Sequence, residues 1–130
     1  MKILVVEDSD GRISLFKEWV SCGIDYAETS EKAIELLKKN TYDLVMLDHD
    51  LGGKAFQESD DDTGYGVAKF MQQNNIKSDV VVHSVNPVGA DNIKGVLPHA
   101  HLMPFGTFEL IPTIEDGQLK SLKIQPMEAF

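Results

Sequence analysis

The chain has 130 residues, 42% of them apolar and 25% charged, which is room for one domain with a core of its own and excludes wholesale disorder. Twelve basic residues against twenty-one acidic ones leave a formal net charge of −9; a surface that negative repels phosphate backbones, so neither a reader of duplex DNA nor a binder of anionic membranes is expected. The one cysteine, Cys22, allows neither an internal disulfide nor a thiolate zinc site and fits a reducing compartment.

Ile3–Val6 is an apolar run with two β-branched valines, closed by Glu7 and Asp8, and predicts a short strand buried on both faces. Ser9 or Asp10 can cap the next segment, where Ile13, Phe16, Trp19 and Val20 share one helical face before Gly23 ends it. Ile24–Ala27 predicts a second strand. Ser30 is the expected cap of a helix with Ala33, Ile34 and Leu37 inward and Lys38 and Lys39 in its last turn, where they suit the dipole. Residues 43–48 form the clearest buried strand, again ended by an acid.

Residues 52–63 break the pattern. They are polar and glycine-led and carry Glu58, Asp60, Asp61 and Asp62. A stretch this long without regular structure, able to bury little, predicts a mobile loop that could close over a ligand. A helix is expected over 65–73, a strand over 79–84 with Val80, Val81 and Val82 in succession, a helix over 90–96 and a strand over 100–103, stopped by Pro104. This alternation predicts an α/β, doubly wound parallel sheet with right-handed crossovers and a ligand site beyond the carboxyl ends of its strands. That domain spans residues 1–106. In the C-terminal extension, 107–130, Pro112 would break a helix, whereas Asp116-Gly117 between the apolar runs 111–114 and 119–124 signals a hairpin turn.

The strand ends carry the chemistry. With the first and third strands adjacent, Glu7, Asp8, Asp48 and Asp50 converge at the carboxyl edge of the sheet. Four carboxylates there repel one another unless a cation intervenes. Hard oxygen ligands suit Mg²⁺ or Mn²⁺, which can bridge to phosphate oxygens. In extended chain Asp48 and Asp50 share a face and His49 points away; His83 and Ser84 alternate in the same manner. With the third and fourth strands adjacent, His49 and His83 are expected to meet behind the cluster, available for acid–base work. Ser84 and Asn86, where a strand feeds a helix, can hold phosphate oxygens. His99 and His101 read as structural.

The strings Ile3-Leu4-Val5-Val6-Glu7-Asp8, Tyr42-Asp43-Leu44-Val45-Met46-Leu47-Asp48, Val82-His83-Ser84 and Met103-Pro104-Phe105 resemble, in order, the landmarks of the receiver domain of response regulators. The resemblance covers residues 1 to about 106 and implies a flavodoxin-like five-stranded sheet of order 2-1-3-4-5. It also implies a metal-binding acidic pair at Glu7 and Asp8, a phosphoacceptor position at Asp48 and the family's hydroxyl position at Ser84. Two departures stand out. Receivers carry a lysine immediately before the Pro-Phe, where it contacts the phosphoryl group and couples it to the switch; this chain has Met103. The residue two past the phosphoacceptor is usually uncharged, and here it is Asp50. Leu47-Asp48-His49-Asp50-Leu51-Gly52-Gly53, Thr63-Gly64-Tyr65-Gly66 and His83-Ser84-Val85-Asn86-Pro87-Val88-Gly89 are similar to the cyclic-phosphate-processing receiver variant.

The expected function is therefore processing of a phosphoester, on a phosphorylated small molecule or the cyclic phosphate of a nucleotide or RNA end. Glu7, Asp8 and Asp48 would hold Mg²⁺ or Mn²⁺, His83 or His49 would donate a proton, and Asp50 would add a ligand or orient water. The alternatives are a stand-alone receiver phosphorylated on Asp48 and a pseudo-receiver that binds a partner protein. No apolar run reaches membrane length and the first residues lack the pattern of a signal peptide, so a cytoplasmic setting is expected.

Overall fold

The computed structural model describes residues 1–127; the last three residues of the 107–130 extension lie outside them. Strands and helices alternate as β1 (Ile3–Val6), α1 (Asp10–Trp19), β2 (Ile24–Ala27), α2 (Ser30–Lys39), β3 (Leu44–Leu47) and α3 (Gly64–Gln73). Then follow β4 (Asp79–Val82), α4 (Pro87–Val96), β5 (His101–Leu102), β6 (Phe108–Glu115) and β7 (Gln118–Pro126). The first five strands are parallel in the order β2-β1-β3-β4-β5, and β6 and β7 form a separate antiparallel pair. This is the doubly wound parallel sheet that the alternation of elements predicted, in the order that the resemblance to receiver domains implied. Among the described residues no helix is long and apolar enough to cross a membrane.

The strands alternate their side chains between two cores. Leu4, Val6, Val45, Leu47, Val80 and Val82 meet α2, α3 and α4 through Ala33, Leu37, Val67, Met71 and Ile93. Ile3, Val5, Leu44, Met46 and Val81 meet Phe16 of α1 together with Phe108, Leu110 and Leu119 of the hairpin. Each fully buried aliphatic or aromatic side chain of this kind stabilises by about 1.5–3 kcal/mol, so the hairpin shares with α1 the cover of one sheet face. The ammonium of Met1 ties to it as well, donating to the Leu119 carbonyl at 3.0 Å. Asp116 (φ 53°) and Gly117 (φ 74°) make the turn, and left-handed φ at both positions matches strand twist. Pro112 sits opposite Leu122 with an irregularity in register just beyond it, between Thr113 and Ile114. A two-stranded ribbon has only edges, where a missing N–H is tolerated.

Local differences from expectation have local causes. Of the two expected caps of α1, Ser9 is the one used, accepting from the Arg12 amide. Thr29, not Ser30, caps α2, accepting from the Lys32 amide at 3.1 Å; Ser30 instead turns its hydroxyl to the Asp61 carbonyl at 2.8 Å. Helix α4 starts at Pro87 rather than residue 90, because Asn86 caps it and proline suits the first turn. Strand β5 is only two residues long.

Register positions the site. Val6 pairs with Leu47, and Leu47 with Val82. The residues that follow, Glu7, Asp48 and His83, therefore emerge side by side, their amides bonded to Ala27, Val6 and Leu47 at 3.0–3.1 Å.

Candidate metal and phosphate site

Glu7, Asp48 and His83 are all buried, at 1%, 4% and 0% exposure, and lie on the α1 side of the sheet. Each offers a ligand atom within 4.8 Å of the others, and among the described residues they form the one such group of potential metal ligands. The His83 ring packs edge-on to Phe16 and Phe105, at 5.5 and 6.4 Å between centroids. Its Nε2 lies 3.2 Å from Glu7 Oε1, while its Nδ1 is buried with no partner among the described residues. A buried N–H without an acceptor is costly; the proton therefore sits on Nε2 and is donated to Glu7.

Arg12, in the first turn of α1, reaches the same spot: its Nη1 is 3.4 Å from Glu7 Oε1 and 3.7 Å from Asp48 Oδ2. Helical side chains lean toward the helix N-terminus, and α1 begins at the acidic edge. The guanidinium is stacked 5.0 Å over the Phe105 ring. Asp8 turns toward the long loop, Oδ2 accepting from the Gly53 amide at 2.5 Å. Glu7, Asp8, Arg12, Asp48 and Asp50 together line a cavity of about 190 Å³. Arg12 was not anticipated, although a basic residue in a first turn, where the dipole favours acids, was the available signal. Met103, half-buried and packed against the core cluster that includes Phe16 and Phe108, brings no charge.

Burial, followed by the charge of Glu7 beside it, pushes Asp48 up to about 8; Arg12 offsets this only in part. Burial also works to raise Glu7, but the hydrogen bond from His83, the bond with Asp48 and the charge of Arg12 outweigh it and hold Glu7 low. The pair thus carries one negative charge near neutrality rather than two. Burial, then the neighbouring Glu7 charge, also raises Asp8, against the Gly53 amide.

His49 does not meet His83. Because β3 and β4 are in register, Asp48 is level with His83 and His49 with Ser84, and alternation sends His49 to the opposite face. There its Nδ1 donates to Asp50 Oδ1 at 2.7 Å and its Nε2 accepts from Ser59 at 2.8 Å. The ring occupies the space over Gly89, where a Cβ would collide with it. Asn86 is likewise committed: Oδ1 accepts from Gly89 N at 3.1 Å, and Nδ2 donates to Asp50 Oδ1 at 3.1 Å and to the Gln57 carbonyl at 3.2 Å. The Ser84 hydroxyl oxygen accepts from the Asn86 amide at 3.0 Å and opens on an apolar groove beside Pro87 and Leu102 rather than on the acidic cavity. His49, Ser84 and Asn86 are thus engaged in hydrogen bonds within the scaffold, and the lining of the acidic cavity does not include them.

The loop expected to be free is tethered. Asp50 accepts from the Phe56 amide at 2.6 Å and the Gln57 amide at 3.2 Å, and Gln57 Oε1 accepts from Leu51 N at 2.6 Å. Ser59 is held by His49 and by Asn92, at 2.8 and 2.9 Å. Burial disfavours the Asp50 carboxylate, but these bonds from His49, Asn86, Phe56 and Gln57 outweigh it and keep its pKa below the ordinary range. Gly64 closes the loop so tightly that a Cβ there would overlap the Asp48 carbonyl.

The donor set fits a hard divalent cation. The buried carboxylates of Glu7 and Asp48 offer oxygens within 4.8 Å of one another, which suits a single ion with bonds of about 2.0–2.4 Å; Asp8 lines the same cavity but stands outside that group, its Oδ2 turned to the Gly53 amide. His83 fits less well as a ligand. Binding through Nε2 would move its proton to Nδ1, where nothing accepts it, whereas ligating histidines donate that proton to a neighbour.

A parallel 2-1-3-4-5 sheet, with an acid pair ending β1 and an aspartate ending β3, defines a receiver domain of the response-regulator type. More narrowly, the chain belongs to the cyclic-phosphate processing receiver domain family, whose model matches residues 3–99. No curated protein is significantly similar to it in sequence. Among solved structures it is similar to the response regulator TrrA from Thermotoga maritima, in complex with Mg²⁺ and BeF, with TM-score 0.63, 25% identity, and coverage of 82% of this chain and 90% of that one. It also resembles the signal receiver domain of a protein described as a Luxo repressor from Vibrio parahaemolyticus, with TM-score 0.64, 23% identity, and coverage of 81% and 78%. The Mn²⁺-bound response regulator Rcp1 follows, with TM-score 0.57, 20% identity and 78% coverage of both chains.

Proposed function

We propose that this domain binds one Mg²⁺ or Mn²⁺ through Glu7, Asp8 and Asp48 and hydrolyses a cyclic phosphodiester, of a nucleotide or an RNA end, to the phosphomonoester. The observation that carries the reading is the buried Glu7–Asp48 pair, braced by His83 and opening on a cavity that also holds Arg12. The family match supports the substrate class. The bound cation would polarise a phosphoryl oxygen.

Arg12 supplies the fixed positive charge that a receiver's lysine would have brought, so the negative charge that builds on the phosphoryl oxygens meets a guanidinium. Water adds to phosphorus and the bond to one ribose oxygen breaks; the water's hydroxyl stays on the phosphate and its other proton ends on the released ribose oxygen. His83 is sealed from solvent and bonded to Glu7, so it acts as a positioning residue. Asp50 positions the loop at the cavity mouth.

Phosphorus NMR of adenosine 2′,3′-cyclic phosphate with the Mn²⁺- or Mg²⁺-loaded protein tests this. Ring opening that is lost on chelation and in Asp48→Asn is expected; a stable cyclic ester throughout overturns it. The second reading, a stand-alone receiver, draws on the likeness to TrrA in its Mg²⁺–BeF complex. A phosphoryl group on Asp48 after treatment with a small phosphodonor, together with an untouched cyclic ester, would establish it instead.

A further inference from the structure

Phe56 is 74% exposed, the most exposed of the large apolar side chains among the described residues. It lines the same cavity as the acidic cluster, together with Lys54 and the 45%-exposed Val85. Its backbone is left-handed, φ 52°, a conformation that bulky residues rarely adopt. The Asp50 carboxylate holds it there through the Phe56 amide at 2.6 Å, and Asp50 is itself gripped by His49 and Asn86. The residue is therefore set at the cavity mouth by a network anchored on the buried His49 and Asn86 and passing through Asp50, two residues from Asp48, not left there by loop slack.

We propose that Phe56, with Val85, is a stacking platform for a nucleobase, so that the substrate is a nucleoside bearing a cyclic phosphate on its ribose rather than a base-free cyclic phosphate. This rests on the phosphodiester reading above. The cavity, about 190 Å³, is smaller than the roughly 300 Å³ at which pockets enclose a whole drug-sized ligand. It takes the phosphate and sugar and leaves a base at the rim, where the aromatic ring stands. Charge balance agrees. Among the described residues that line the cavity, the acids Glu7, Asp8, Asp48 and Asp50 face the basic residues Arg12 and Lys54, so once a divalent cation has displaced the Asp48 proton its charge balances the two that remain. The anionic phosphodiester then meets little net field, and an uncharged, sequence-tolerant stack can supply affinity.

The test uses the Mn²⁺-loaded full chain with adenosine 2′,3′-cyclic phosphate and, as base-free probe, glycerol 1,2-cyclic phosphate. In Phe56→Trp, the introduced indole is expected to be quenched by the nucleotide and not by the base-free ester. In Phe56→Ala, the preference in kcat/KM for nucleotide over base-free ester is expected to fall on the order of tenfold, the usual worth of one base–aromatic stack, and Phe56→Trp to retain it. Equal use of both esters by wild type and Phe56→Ala, with no nucleotide-specific quench, overturns the platform while leaving the phosphodiester reading intact. If neither ester is opened, that reading fails and the quench alone decides: nucleotide-specific quenching keeps the platform, and its absence removes it.

Discussion

His83 donates its Nε2 proton to Oε1 of Glu7 across 3.2 Å, with both side chains closed off from solvent. A histidine at the end of a receiver strand invites assignment as a proton donor to substrate. This one is buried edge-on between Phe16 and Phe105 with one nitrogen occupied, so its influence passes through Glu7.

His83→Ala should therefore weaken Mn²⁺ binding by about 10–100-fold, the usual cost of removing a group that orients a metal ligand, while kcat at saturating Mn²⁺ stays within a few fold. Titration calorimetry and steady-state kinetics separate the two. A proton donor would show the reverse, losing about 10²–10⁴ in kcat and one limb of the pH profile, and His83→Gln would not restore either.

Asp48 makes the metal-free protein sensitive to alkali. Its folded pKa lies at about 8, above the ordinary 3.8. Between those values the folded state holds a proton that the unfolded chain has released, so stability falls as pH rises through that window. Glu7 has the opposite sign at lower pH: its folded pKa lies below the ordinary 4.5, so its contribution is present above 4.5 and lost on acidification below it. The melting temperature of the metal-free protein should decline from about pH 5 to pH 8. Asp48→Asn should flatten the decline, and excess Mn²⁺, taking the proton's place, should reverse it. A metal-free wild-type melting temperature that climbs over this range contradicts the assignment.

Arg12 should affect metal and substrate in opposite directions. Its guanidinium lies 3.4 Å from Glu7 and 3.7 Å from Asp48, so it competes with a cation and attracts a phosphate. Arg12→Ala is expected to tighten Mn²⁺ binding severalfold and to lower kcat for the cyclic ester by about 10²–10³, as for loss of one preorganised donor to a developing anion. A parallel loss of both would mark Arg12 as a structural residue only.

The loop over 52–63 should be protected in hydrogen exchange at Phe56 and Gln57, whose amides donate to Asp50. Asp50→Asn should abolish that protection and cost about 1–3 kcal/mol of stability, through donors left without their charged acceptor. Because the Asp50 pKa is held below its ordinary 3.8, the tether is complete above that value and is lost as pH falls through the lower one. Exchange at these amides as fast as in free peptide at neutral pH would show the loop to be untethered.

Sequence alone determined the strands and the acids that end them, because a four-residue β-branched run and the residue that stops it are neighbours in the chain and obey a local period. It determined the Asp116-Gly117 turn for the same reason: left-handed backbone at two adjacent positions is a property of those residues. The parallel, doubly wound sheet followed from alternation, and its order from the resemblance to receiver domains. What those rules do not contain is register. That Leu47 lies opposite Val82 is settled by packing across the whole sheet, and it alone decided that His83 stands beside Glu7 while His49 falls on the far face. Tertiary structure also brought Arg12 into the acidic site, since its reach depends on where α1 leaves β1. It converted a polar, acid-rich loop into a tethered one, because the acceptor that holds Phe56 is Asp50 and the groups that hold Asp50 come from His49 and, thirty-six residues further along the chain, Asn86. Hydrogen bonds between residues so far apart in sequence leave no periodicity to read; only the folded chain brings donor and acceptor together.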